Sequence, residues 1–266
     1  MTKTQSLLEQ IQQAKMYDLA HPYFTGMPHH PSHPPYLFSL NKLHGDYVMP
    51  NGGSNTSEAL ALGGHLGTHM DALCHFSCGG KLFGGHDVKT SQSYEQGMKQ
   101  LSVDTVEPIV RRGILLDIAG LQRVESLAAD FEITPEHMEA AASEEKLEVQ
   151  QDDIVLLRTG WGAFFSDPAR FAAQMHGPGP ADRGAHWLSS KKVFAAGSDT
   201  VNFELAPSRT MPAHIHLLVE SGIYIMECLN LEQLARDKVF EFIFVAAPLK
   251  IRGGTGSPIR PFAIKA

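Results

Sequence analysis

Cysteine is scarce in this chain. Cys74, Cys78 and Cys228 are the three in 266 residues, an odd and sparse set that excludes a disulfide framework. Long hydrophobic runs are missing too. No uncharged apolar stretch is long enough to span a bilayer, and the N-terminal "MTKTQSLLEQIQQAK" has no apolar signal core. A soluble, cytoplasmic protein without a membrane partner is therefore expected. There is no basic surplus either: 22 Lys and Arg against 29 Asp and Glu leave a formal charge of -7. Binding nucleic acid needs the opposite balance, so it is excluded as a partner. Neither an internal repeat nor a low-complexity linker is present, which favours one domain over 1–266. No G-x-S-x-G elbow occurs. The "GGTGSP" segment carries Pro258 and no lysine, so it is not a phosphate loop.

What is present alternates between helix and strand. Residues 6–15, "SLLEQIQQAK", have the pattern of a short amphipathic helix. From His21 to Phe38 follows "HPYFTGMPHHPSHPPYLF", whose prolines forbid a helix and predict an extended arm, a plain loop or a wall of a ligand site. Helix and arm together occupy the first 50 residues. A buried strand is expected around 114–118, and "TPEHMEAAASEEK" is a helix with Thr134 as N-cap and Pro135 at its first position. "DDIVLLRTGW" is a second buried strand, followed by short helices over 167–176 and 181–192. Strands at 193–199, 223–229 and 240–249 then alternate with helices at 212–222 and 231–237, and a glycine-proline turn leads to a last strand. This order predicts an α/β chain with a mixed sheet.

The chemistry gathers in "GGHLGTHMDALCHF", residues 63–76. His65, His69, Asp71 and His75 are costly to bury unless something pairs with them. All are odd-numbered, so an extended strand would set them on one face. A straight strand rises roughly 3.3 Å per residue and would hold His65 about 13 Å from His69, too far for one ion. Glycine-rich surroundings argue against a helix. A bend at Gly67 resolves the conflict, returning His65 towards His69 and Asp71. Imidazoles with one carboxylate suit zinc, manganese or iron and leave coordination positions open. The bland alternative is a polar strand edge with hydrogen-bonded histidines. His75 is either a further ligand or an acid/base group. Cys74 should point away from His75, as a small packed thiol.

A second constellation is "PAHIHLLVESGIYIMECL". Glu227 sits in an apolar strand, where an unpaired carboxylate is expensive. A metal would satisfy it, with His214 as companion and His216 as the competing histidine.

Together these stretches resemble the H-x-G-T-H-x-D-x-P-x-H signature of the cyclase family of metal-dependent hydrolases, which includes kynurenine formamidase and isatin hydrolase. The likeness extends through "LLRTGW", "AAGSDT", "HIHLLVESGIYIME" and "PLKIRGGTGSPIRP". The resemblance implies a swivelling β/β/α domain assembled as a homodimer or homotetramer. It implies that His65, His69 and Asp71 hold a divalent metal, zinc or manganese, as one or two ions. With two, Asp71 bridges and His214 and Glu227 complete the second site; His214 matches the family's H-x-x-L-L. His75 matches its proton-transfer histidine. The chain departs once: Leu73 stands where the family has proline, which loosens the expected path to His75.

The activity so implied is hydrolysis of a C–N amide, lactam or formamide bond by metal-activated water, with His75 protonating the departing nitrogen. Lactone or ester hydrolysis is the alternative within the family. Outside it stand a Cys74-dependent hydrolase and a non-enzymatic metal binder. A small-molecule substrate, aromatic ones included, could stack on Tyr23, Phe24, Tyr36, Phe38, Trp161 or Trp187, though each could equally pack in the core.

Overall fold

A computed structural model describes residues 2–172 and 175–265. Nine strands form one sheet. They are β1 (Lys15–Asp18), β4 (His69–Asp71), β5 (Ile109–Asp117), β6 (Ile154–Arg158), β7 (Ala195–Ser198), β8 (Tyr224–Glu227), β9 (Glu241–Ala246), β10 (Gly256–Pro258) and β11 (Phe262–Lys265). Their order is β1-β11-β9-β5-β6-β7-β8-β4-β10. Between β1 and β4 the chain makes an exposed hairpin, β2 (Leu37–Lys42) with β3 (Ser57–Ala61). The central strands β5, β6, β7 and β8 run parallel, and the flanks are antiparallel. The expected α/β architecture with a mixed sheet is what forms.

Parallel strands are covered on both faces and so read as continuous apolar runs. All five residues of β6, "IVLLR", are buried. Alternation in β5 and β6 then sorts the side chains. Ile114, Leu116, Val155 and Leu157 pack beneath Met138, Leu188 and Leu217 on one face. Leu115, Ile154 and Leu156 join Met226, Phe242 and Phe244 on the other.

The principal helices are α1 (Lys3–Gln13), α2 (Pro135–Glu144), α3 (Asp182–Ser190), α4 (Pro212–His214) and α5 (Glu232–Arg236). The predicted start of α2 holds, with Thr134 N–H donating to His137 Nδ1 at 3.1 Å. Beyond α4 the backbone continues as a π-helical turn, Ile215–Ser221, ended by Gly222 in the left-handed region. The helix expected over 167–176 is a single turn, Pro168–Phe171, and residues 173–174 of that prediction lie outside the described residues. α1 buries none of its residues, leaving Leu7 and Leu8 exposed. No described helix is long and apolar enough to cross a membrane.

Candidate metal centre

Sheet register builds the first half of the site. β4 lies between β8 and β10, pairing His69 with Glu227 and Asp71 with Ile225 and Gly256. Directly opposed residues share a face, as do residues two apart on one strand. His69, Asp71 and Glu227 therefore project together. Just before β4, Gly67 takes φ +58°, and a Cβ there would stand 2.8 Å from Met27 Cε. Glycine makes this turn without strain, and the turn carries His65 back over the strand. Its Nδ1 lies 2.6 Å from Asp71 Oδ1 and its Nε2 2.9 Å from Thr255 Oγ1. The ring fits because Gly256 has no side chain; a Cβ there would meet it at 2.5 Å.

α4 delivers the remaining histidine. Glu204, fully buried, accepts from His214 N at 2.9 Å and pairs with His214 Nδ1 at 2.7 Å. That keeps a proton on Nδ1 and makes Nε2 the nitrogen that ligates once the ring is neutral, 3.4 Å from Glu227 Oε1 and 4.0 Å from Asp71 Oδ2. His69 is fixed in the same way. Its Nδ1 donates to Gly67 O at 2.8 Å, and its Nε2 stands 3.5 Å from Asp71 Oδ1 and 3.4 Å from Glu227 Oε2. Such separations exceed a good hydrogen bond. Those of 3.4 to 3.5 Å match the roughly 3.4 Å between ligand atoms on a tetrahedral ion with bonds of about 2.1 Å. Two buried groups result, His65–His69–Asp71 and Asp71–His214–Glu227, each with donor atoms within 4.8 Å of one another. The donor set fits one or two divalent ions, with Asp71 common to both groups.

A family model described as "Putative cyclase" matches residues 17–205. The chain belongs to the cyclase family. It is 29% identical over 214 residues to isatin hydrolase from Roseibium aggregatum, covering 77% of this chain and 73% of that one. With kynurenine formamidase from Bordetella petrii it shares 24% identity over 250 residues, 92% and 96% of the two chains. Among solved structures, a novel cyclase superposes at a TM-score of 0.88 with 27% identity, over 100% of this chain and 92% of that one. Isatin hydrolase A from Ralstonia solanacearum gives 0.78 with 25% identity, over 100% and 98%. The resemblance read from the signature is thus met by both family and fold.

Electrostatics in this cyclase-family site follow from three buried carboxylates, Asp71, Glu204 and Glu227. Burial by itself would lower the pKa of His214, but Glu204, Glu227 and Asp71 outweigh it and push the pKa up to about 10. His69 behaves alike: burial opposes, Asp71 and Glu227 prevail, and the pKa rises to about 9. Burial would raise Asp71, yet His75 and His65 beside it hold it well below the usual carboxylate range. His75 is pushed down to about 3, mainly by burial, with Asp71 opposing and the neighbouring histidines assisting.

Despite Leu73, His75 reaches the site. Its N–H donates to Ala72 O at 2.9 Å, closing a turn in which Leu73 packs into the core. The ring stacks on His65 with centroids 3.8 Å apart. His216 stays outside, paired with Glu220 at 2.8 Å and Ser189 at 2.7 Å. Cys74 turns away towards Gly254 O at 3.7 Å, and burial pushes its thiol up to about 12. No thiolate nucleophile stands beside His75.

A cavity of about 390 Å³ opens over the centre. One wall is the histidine-rich arm, through Pro28, His29, His30, Ser32 and His33. None of Tyr23, Phe24, Tyr36, Phe38, Trp161 or Trp187 lines it. Tyr23 is tied to Leu66 O at 2.6 Å, and Trp161 is buried with Nε1 donating to Leu127 O. Phe76, next to His75, is the aromatic side chain that faces the cavity. Sequence reasoning missed Glu204, Thr255 and Phe76. For Phe76, adjacency to the signature was an available signal; Glu204 offered none.

Proposed function

We propose that this chain is a metal-dependent hydrolase that opens a C–N bond of a small amide, lactam or formamide. The observation that carries the reading is the pair of buried donor groups sharing Asp71 beneath one cavity, with His75 beside them. His65, His69 and Asp71 would hold one ion; Asp71, His214 and Glu227 would hold a second. Imidazole and carboxylate donors suit zinc or manganese. When bound, a divalent ion acidifies water and polarises a carbonyl.

The chain's own side chains supply the remainder. Asp71 presents Oδ1 to one group and Oδ2 to the other, which equips it to bridge. Glu204 and the Gly67 carbonyl hold His214 and His69 in the tautomers that leave Nε2 bare. His75, stacked on His65 beside both donor groups, takes a proton from the attacking water and returns it to the departing nitrogen. Amide cleavage needs that return, because an amide anion is a poor leaving group.

Relatives named isatin hydrolase and kynurenine formamidase support a C–N substrate. A lactone or ester would be cut by the same groups, with less need of His75 as acid the better its leaving group. The reading includes a single domain over 1–266, a cytoplasmic setting consistent with three free cysteines, and a homodimer or homotetramer. Exposed Leu37, Phe38, Leu40 and Leu60 on the hairpin support the assembly.

Elemental analysis of the purified protein, then hydrolysis of N-formyl amides, lactams, cyclic imides and lactones before and after chelation, tests this. One or two ions per chain and chelator-sensitive C–N turnover are expected. His69→Ala should lose metal and activity yet stay folded. Full occupancy in that variant would remove His69 as a ligand.

A further inference from the structure

The arm departs from the rest of the site in what it offers a substrate. Its "HPSH" forms a turn, with His33 N–H donating to His30 O at 2.9 Å and Pro31 at the second position, where proline's fixed φ favours a turn. The turn brings the two rings together, centroids 5.3 Å apart, and lays His33 over His65 at 5.1 Å. The tautomer of His30 is determined by its neighbour. Its Nδ1 receives the Ser32 backbone N–H at 3.2 Å, and Ser32 Oγ lies 2.6 Å away. A backbone N–H can only donate, so the proton of a neutral His30 sits on Nε2. Among the described residues no protein group accepts from that Nε2, and His30 lines the cavity.

The rest of the lining restricts what can meet this donor. Among the described residues no Lys or Arg faces the cavity, and Phe76 is its one aromatic carbocycle. Asn202 and Ser208 add further neutral polar groups. At about 390 Å³ the space lies at the small end of ligand sites. A fused aromatic bicycle finds a single carbocycle to stack on, and an anionic group finds no lysine or arginine to hold it away from the metal centre. What fits is a small, neutral, oxygen-rich amide.

We propose that His30 is a specificity-determining residue, which grips a second carbonyl oxygen of the substrate through Nε2–H, so that the preferred substrates are small monocyclic imides. This rests on the hydrolase reading above and adds the substrate class. A site that donates to a substrate oxygen discriminates against the analogue lacking it.

Succinimide and 2-pyrrolidinone share a five-membered ring and differ by that second carbonyl. Their intrinsic reactivities differ, but the difference cancels when each variant is referred to wild type. His30→Ala should lower kcat/KM for succinimide roughly tenfold, the worth of one hydrogen bond, and for 2-pyrrolidinone less than twofold. His30→Gln, which restores a donor, should recover part of the loss. Metal content should stay constant throughout. Ligand-observed NMR titration provides a readout free of turnover: the wild type should bind the imide more tightly than the lactam, and His30→Ala should bind both alike. Equal losses for both compounds, or no binding preference in wild type, would overturn the assignment. If the preference in binding stands while no C–N compound is turned over, the hydrolase reading fails instead.

Discussion

Glu204→Gln is the most informative perturbation of the centre, because it changes one charge and almost no volume. Glu204 is 1% exposed, and one of its oxygens takes both the backbone N–H and the Nδ1–H of His214. The substitution leaves an oxygen acceptor but turns a charge-assisted pair into neutral ones. Hydrogen bonds to charged groups contribute about 1.5–3 kcal/mol and neutral ones about 0.5–1.5 kcal/mol. The difference over the contacts to His214 is therefore roughly 1.5–3 kcal/mol, or about 10- to 100-fold in affinity. Loss of a carboxylate behind a ligating histidine has an effect of the same size. His214 belongs to one donor group only, so the weakening should be confined to one ion. Competitive titration against a fluorescent chelator reads both affinities and the stoichiometry. One ion per chain should weaken by that factor while the ion on His65, His69 and Asp71 is retained. Two unchanged affinities, or two that fall equally, would refute the claim that Glu204 acts by orienting His214.

Metal binding should release protons. The surrounding carboxylates push His69 up to about 9 and His214 up to about 10 without a cation, so both are protonated at pH 7.5 and must shed a proton to ligate; affinity should rise with pH up to about 10, and calorimetry in buffers of different ionisation enthalpy should show the release. His75→Asn should keep its metal but slow amide turnover by about 10²–10⁴-fold, with a much smaller loss for activated esters whose leaving groups need no proton; equal losses for both would make His75 something other than the acid. Burial pushes Glu145 up to about 8, with Oε2 unpartnered. Its folded pKa lies above its unfolded one, so its contribution is complete below about pH 4.3 and is lost as pH rises through 8. Glu145→Gln should therefore raise Tm at pH 9 more than at pH 5, and parallel Tm–pH curves for the two proteins would contradict this.

How far each part of the molecule was legible depends on the range of the interaction that sets it. The central strands announce themselves because burial on both faces demands an unbroken apolar run, as in "IVLLR". Helix α2 does so because Thr134 and Pro135 are local signals. The hairpin went unseen for the converse reason. Its strands expose Leu37, Phe38, Leu40 and Leu60 with no buried face to impose alternation. α1 shows the limit of an amphipathic pattern, which says where an apolar stripe lies and not whether anything covers it.

The centre divides along the same line. His65, His69 and Asp71 were readable because their spacing and Gly67 together admit few geometries, and the bend converts a 13 Å separation on a straight strand (roughly 3.3 Å per residue) into rings 5.4 Å apart. Glu227 was readable through its cost alone, as a carboxylate inside an apolar strand. Its position opposite His69 is a matter of register between β4 and β8, which no local pattern encodes. Glu204 is the limiting case. In "SDTVNFELAP" it resembles any loop acid, and its meaning arises only when α4 sets His214 against it. Ligands that contact a metal carry a residue-type signature, whereas the group that fixes a ligand's proton needs only an acceptor at the right place, which a glutamate, an aspartate or a backbone carbonyl can supply equally well. Here the chain uses both solutions, Glu204 for His214 and the Gly67 carbonyl for His69. The carbonyl costs the sequence nothing to specify, because the bend that collects the ligands also aims it.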